Sequence, residues 1–526
     1  MHTFLPRAAC LALAAAALPL AATAAEKTPA APAAILGADE AARTPRAAKW
    51  DVQGEATFRA LGAASFGTDT LGTPSGQTSW TQSRLIAGGK VSGKSLSFEL
   101  ELEAVNGTVS GDGMKLGTAY SADAFLYPRD GRQAQLSQVL PRKALLSWTT
   151  PVGRILAGPQ VFQWGLGMLA HDGRTGSDFG DPRQGNVVTR LAFATQPFRS
   201  AASHFWRTTA VFLGGDYVLR DDNANVYDGD QAVAAVLGVR AQTDRAALGL
   251  FVAARDQTDR KDKWRPDAAQ AKTQVLALDV FGRRTMALGT GQQLHVEAEG
   301  AVLAGTSDRP YSEETLNGVD VVSVGAVARL RLQDDALRLT AKLEAGYASG
   351  DNDPRDTTAR AFAFHSDYNV GLVLFKQVLP ALSARGIDRL ADPTLLNTAP
   401  PSLRYLVNQG TVTNALYAQP TVRWRPIQPL ELRLGYLLAA TAGQLTDAYQ
   451  TGMNGGYPTS AGGKRGATGL YGHEVDGAVR YDIALPQNLT LRVGAEAGVL
   501  VPGSALAGIT DLGNPWLARG LVDILW

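Results

Sequence analysis

From Val322 to Tyr347, apolar side chains recur at every second position. Val322, Val324, Ala326, Ala328, Leu330 and Leu332 share one face. Ser323, Gly325, Arg329, Arg331 and Gln333 share the other, with Val327 the one apolar exception. A polar turn at Asp334 and Asp335 follows. Leu337, Leu339, Ala341, Leu343, Ala345 and Tyr347 then alternate with Arg338, Thr340, Lys342 and Glu344. Side chains of a strand alternate between its two faces, so this period of two predicts a hairpin with one apolar and one charged face. Each arm exceeds the roughly 5–6 residues of an ordinary strand and reaches the roughly 9–11 that a tilted strand needs to cross a bilayer. One such hairpin fits a β-sandwich as well as a membrane barrel.

Repetition along the chain decides between them. Trp50, Val52, Ala56, Phe58 and Ala60 oppose Asp51, Gln53, Glu55, Thr57 and Arg59. Leu96, Phe98, Leu100, Leu102 and Ala104 interleave with Glu99, Glu101 and Glu103. Further alternating segments fall near 133–149, 154–163, 187–196, 203–217, 231–242, 246–256, 272–283, 291–304, 320–333, 336–349, 411–425, 430–442, 472–484, 488–502 and 517–526. With the two strands at Trp50 and Leu96 and one between them that ends near Gly88-Gly89, the count is about 18, an even number. The connections alternate in length. Thr150–Gly153, Gln242–Arg245, Gln333–Ala336, Pro426–Pro429 and Leu485–Asn488 are short. Asn106–Arg132, Trp164–Asn186, Gln257–Ala271, Gly350–Gly410 and Gly443–Tyr471 are long. Short periplasmic turns and long extracellular loops are the rule for bacterial outer-membrane barrels. The predicted fold is therefore all-β: a transmembrane antiparallel β-barrel. Trp50, Trp148, Trp424 and Trp526 fall at periplasmic strand ends and Tyr347 and Tyr436 toward the outer side, as aromatic girdles require.

The chain starts with Arg7, an apolar stretch Leu11–Leu20 and an Ala22-Thr23-Ala24 site, which read as a secretory signal peptide over 1–24. Residues 25–49 are rich in Ala and Pro without an apolar period and read as a flexible periplasmic tether, leaving 50–526 for the barrel. The only cysteine, Cys10, lies in the leader, which excludes thiolate chemistry from the mature chain. Lys+Arg 50 against Asp+Glu 49 gives no basic excess for nucleic acid.

If the apolar faces meet lipid, a charged set faces inward: Arg59, Glu99, Glu101, Glu103, Arg329, Arg331, Arg338, Lys342, Glu344, Arg423, Arg425, Arg433, Arg480 and Arg492. Basic residues concentrate between Arg329 and Lys342 and between Arg423 and Arg433, and rings of basic side chains favour anions. Acidic loop residues Asp172, Asp178 and Asp181, and Asp351 and Asp353, are candidate Ca²⁺ ligands, against the plainer reading that Asp and Gly make turns. Leu379, Leu382, Ile387 and Leu390 suggest a short helix in a long loop, broken at Pro380 and Gly386, that narrows the barrel or caps it. Catalysis is not expected: His171-Asp172 has no serine motif beside it.

Three loop motifs carry a resemblance: Trp164-Gly165-Leu166-Gly167-Met168-Leu169-Ala170-His171-Asp172-Gly173, Ala348-Ser349-Gly350-Asp351-Asn352-Asp353-Pro354, and Asp367-Tyr368-Asn369-Val370-Gly371-Leu372-Val373-Leu374-Phe375. Together they resemble alginate-export-type outer-membrane porins and related barrels. The resemblance implies passage of an anionic polysaccharide or of small hydrophilic solutes. Outer-membrane lipid, lipopolysaccharide and the outer-membrane assembly machinery are the partners expected of such a barrel. A barrel with a loop-blocked lumen, built for structure or ligand binding, is the alternative.

Overall fold

A computed structural model describes residues 49–112, 139–260, 270–308, 318–390, 408 and 410–526. The predicted leader and nearly all of the tether lie outside them. Eighteen strands form the wall: β1 (Lys49–Ala63), β2 (Ser79–Ser92), β3 (Leu96–Gly111), β4 (Val139–Thr150), β5 (Gly153–Phe162), β6 (Asn186–Thr195), β7 (Ala210–Arg220), β8 (Gln231–Gln242), β9 (Ala246–Thr258), β10 (Lys272–Gly289), β11 (Gln292–Ser307), β12 (Val319–Asp334), β13 (Leu339–Ala348), β14 (Ala415–Ile427), β15 (Leu430–Thr441), β16 (Leu470–Ala484), β17 (Thr490–Pro502) and β18 (Trp516–Leu525). Each pairs antiparallel with its successor, and β18 returns to β1 from Glu55↔Leu525 to Ala63↔Leu517, closing the ring. A two-residue strand, Thr358–Ala359, lies parallel on β12 outside this circuit. Closure removes the free edges that an open sheet exposes.

The face the periodicity assigns to lipid is the exposed one. On β12, Val322, Val324, Leu330 and Leu332 point outward, and Leu343 on β13 is 45% exposed. Among the described residues, no second sheet or helix covers them. Trp50, Trp148, Trp424 and Tyr347 are exposed near strand ends, and Tyr436 is exposed at the middle of β15. Trp526 continues the β1–β18 ladder: its backbone exchanges hydrogen bonds with Gly54 at 3.0 and 3.1 Å, and a Cβ at position 54 would strike the indole. The charge on an outward substitution should register membrane depth. Ala328→Arg is expected to destabilise the barrel by about 2–4 kcal/mol, and Asp320→Arg at the outer rim by about 0–1 kcal/mol. Urea unfolding in liposomes checks this; equal losses at the two sites would refute the belt.

Several predicted boundaries shift, and the expected helix breaks are absent. The strand expected at 203–217 is observed as Ala210–Arg220, with a one-turn helix α1 (His204–Arg207) before it. The expected breaks at Pro380 and Gly386 do not occur. Helix α2 (Leu379–Leu390) runs through both, following a π-type turn at Leu374–Val378.

Candidate permeation path

Two long loops fold into the barrel and decide what the inward-facing charges meet. The β5–β6 loop (163–185) and the β13–β14 loop (349–414) pack together over an apolar cluster that includes Met168, Phe179, Phe362, Phe364 and Phe375. Wall glycines make room for the loop aromatics: a Cβ at Gly325 would collide with Phe362, and one at Gly435 with Phe179. Val327, the apolar exception on the charged face, is buried in this same cluster. Asp367 ties the loops to each other, accepting backbone N–H bonds from Arg183 (2.7 Å), Gln184 (3.0 Å) and Gly185 (2.6 Å). Helix α2 sits among the outer loops, where Arg385 bonds Asp69 of the β1–β2 loop at 2.8 Å and Arg389 lies over the Tyr449 ring of α3 (Ala448–Met453).

The predicted lumen residues face inward with one exception, and most are ion-paired. Arg59 bonds Asp181 at 2.6 Å and also meets Asp523. Arg329 bonds Glu344 at 2.6 Å, and the Tyr368 and Tyr417 hydroxyls donate to the same carboxylate at 3.0 and 2.9 Å. Arg425 and Arg433 share Glu431, Arg480 meets Glu496, and Arg492 bonds Asp482 at 2.7 Å. Lys342 and Arg423 reach Asp178 of the infolded loop at 2.5 and 3.1 Å. Lys143 bonds Glu99 at 2.7 Å. Glu101 and Glu103 are not water-lining: both are 1% exposed, under Arg142, Arg174 and Arg220. Arg338 is the exception. It sits exposed in the β12–β13 turn with φ 51°, donating its backbone N–H to Asp335, because the turn is longer than the two aspartates suggested.

The candidate Ca²⁺ ligands are spent elsewhere. Asp178 serves Lys342 and Arg423, and Asp181 serves Arg59 and Arg519. Asp172 accepts from the backbone of Arg174 and Thr175 at 2.8 and 2.7 Å. Asp351 accepts from the backbone of Asp353 and Arg360, and Asp353 from that of Arg355. These are turn and ion-pair geometries, not a shared cage. Among the described residues, His171, His365 and Asp367 are the one group with metal-ligand spacing. Their donors are also occupied. His171 Nδ1 accepts from Gly173 N–H and His365 Nδ1 from Asp367 N–H, both at 3.0 Å, and His365 Nε2 meets Asn186 at 2.5 Å. Burial pushes the His171 pKa down to about 4, so the ring is neutral and acts as a hydrogen-bonded knot.

Sequence reasoning missed Arg142, Arg519, Asp367 and the loop-anchoring carboxylates Glu299 and Glu474 with their neighbours Asp279 and Asp476. It also missed a cavity between wall and loops, lined by Leu61, Trp80, Gln82, Arg183, Lys376 and Arg519. Nothing in a period of two shows which inward residues a loop will cover.

No family model matches the sequence, and no curated protein matches it. Solved structures similar to the barrel include OccAB1 of Acinetobacter baumannii (TM-score 0.47, 11% identity, covering 90% of this chain and 96% of that one). OccK11 (OpdR) of Pseudomonas aeruginosa (0.46, 9%, 91% and 95%) and OprD, an outer-membrane protein of the same organism (0.45, 11%, 90% and 94%), are similar to the same degree. The class assigned here, a closed transmembrane β-barrel, rests on the ring of strands and its outward apolar belt.

Proposed function

We propose that the chain is an outer-membrane channel through which small hydrophilic solutes diffuse passively, anions ahead of cations. One observation carries the preference. Arg331 stands directly opposite Lys342 across β12 and β13, and Arg423 opposite Arg433 across β14 and β15. His295 stands on the other side of Arg331. Like charges directly opposed across strands are destabilising. Asp178 and Glu431 offset part of this excess, while Arg331 Nε has no hydrogen-bond partner among the described residues. A basic row near the short-turn end of the wall is what an anion-attracting lumen requires. Sugar acids, the solutes implied by the alginate-type resemblance, fall within this class. The reading includes no catalytic step. It also includes contacts of the belt with lipid and lipopolysaccharide, and recognition of the aromatic-ended β18 by the assembly machinery.

Reversal potentials in planar bilayers under a KCl gradient test it. The wild type should favour chloride, and Arg331→Gln with Lys342→Gln should reduce that preference by about fivefold or more, each lost charge contributing about 1 kcal/mol at roughly 4 Å in water. An unchanged potential would remove these residues from the filter. The second reading, a ligand-binding or structural barrel, draws on the two infolded loops. It gains if the purified protein passes no current under any condition.

A further inference from the structure

Each infolded loop is pinned to the wall by a buried carboxylate, and each of these carboxylates has a second one against it. On β11, Glu299 (2% exposed) accepts the backbone N–H of Leu166 in the β5–β6 loop. Beside it on β10 lies Asp279, 0% exposed. Elsewhere on the wall, Glu474 of β16 accepts the backbone N–H groups of Leu372 and Val373 (2.8 Å for Val373) and of Leu374 (2.7 Å). Its neighbour on the same face, Asp476, is also 0% exposed. Both oxygens of Asp279, Oε1 of Glu299 and both oxygens of Asp476 are buried without a hydrogen-bond donor among the described residues.

Other charges near these sites do not supply the missing donors. Arg329 and Tyr368 approach Glu299, but both are engaged by Glu344. The Trp164 indole N–H points toward Asp279 but falls short of good hydrogen-bond geometry, and the Leu372 N–H beside Asp476 is taken by Glu474. Asp476 faces another acid, Glu496, which Arg480 and Arg519 hold. Two carboxylates that abut out of water cannot both ionise without a large penalty, and a proton placed between them turns repulsion into a hydrogen bond. A calcium ion would want about 6–8 oxygens, and two carboxyl groups do not provide them.

We infer that Asp279–Glu299 and Glu474–Asp476 are proton-sharing pairs that latch the two infolded loops to the wall, and that losing these protons to water at alkaline pH releases the loops and widens the passage. The coincidence is the strength of the inference. Two loops from different parts of the chain are anchored by the same device: one carboxylate on loop N–H groups, a second carboxylate behind it. A merely structural anchor needs only the first. With the second present, ionisation puts two like charges at the point where the loop is held. The inward-facing strand positions supply the acids, and the backbone N–H groups of 166 and 372–374 supply the ties.

Backbone hydrogen exchange in detergent-purified protein tests the latch without assuming transport. From about pH 6 to about pH 9, a range that buried acids reach, exchange at Leu166 and Leu372–Leu374, corrected for the intrinsic base-catalysed rate, should accelerate about tenfold. Neighbouring β12 amides should not change. Asp279→Asn with Asp476→Asn keeps the size and removes the second charge, so the acceleration should disappear. Corrected exchange that is flat with pH in the wild type, or a pH response that survives in the double variant, overturns the latch. If the double variant does not fold, the wild-type exchange profile still decides. Single-channel conductance, the one arm that rests on the channel reading, should rise about twofold or more over the same range. Loops that loosen without any current at any pH would overturn the channel and leave the latch standing.

Discussion

Arg142→Met is expected to destabilise the barrel by about 3–5 kcal/mol, the cost of leaving a buried ion pair without its partner. The guanidinium is 0% exposed and bridges Glu101 and Glu103 at 3.0 Å each. Its removal strands two carboxylates that are each 1% exposed. Glu101 keeps Arg174 and Glu103 keeps Arg220, which places the loss nearer the lower end of the range. Neutralising Glu101 as well, with Glu101→Gln, should recover part of it, since the penalty comes from uncompensated charge and Arg174 and Arg220 keep Glu55 and Glu103. Arg425→Met is the control. Its side chain is 48% exposed, so its pair with Glu431 contributes about 0–1 kcal/mol. Urea midpoints in liposomes measure all three. An Arg142 variant as stable as the Arg425 variant would mean that water reaches the site.

Arg142 also shows where a sequence stops being legible. The strand plan is readable because lipid imposes a strict period of two on every wall strand. Leu330 and Arg331 could be assigned to opposite faces with no structure in hand. Arg142 breaks that rule. In the β3–β4 register, Glu101 pairs with Lys143 and Leu102 with Pro141, so Arg142 is the extra residue of a β-bulge. The bulge brings two consecutive cations to the inner side, where alternation would place only one. The three glutamates of β3 looked like a wetted wall because their partners sit on this irregular strand, on the infolded β5–β6 loop and on β7. Asp178 and Asp181 were misread for a related reason. An acid among glycines looks the same in a free loop as in one folded into the barrel, and only the fold shows Lys342, Arg423 and Arg519 waiting for it. Local periodicity specifies the wall; the infolded loops depend on contacts far apart in sequence, such as Arg59 with Asp181 or Tyr368 with Glu344.

Asp178→Asn should make the channel more anion-selective, whereas Arg423→Gln should make it less so. Asp178 is the loop carboxylate that offsets Lys342 and Arg423. One unit charge at roughly 4 Å in water is worth about 1 kcal/mol, or about fivefold in local anion occupancy. The two variants should therefore shift the KCl reversal potential by similar amounts in opposite directions. The loop should stay in place in Asp178→Asn, because Arg433 also holds the backbone carbonyls of Ser177 and Asp178 at 3.3 and 2.6 Å. Screening sharpens the test. The Debye length falls from about 10 Å at 0.1 M salt to about 3 Å at 1 M, so both shifts should shrink as KCl is raised. Protonation supplies a further check. Burial opposes ionisation of Asp178, but Lys342 and then Arg423 outweigh it and hold the carboxyl well below the usual range. The gap in selectivity between wild type and Asp178→Asn should then stay level from about pH 7 to about pH 4, where an ordinary aspartate begins to take up its proton, because any charge His295 gains beside Arg331 is common to both. A wild-type channel whose anion preference climbs across that interval to the level of Asp178→Asn would show the carboxylate titrating freely, with the ties to Lys342 and Arg423 too weak to hold it.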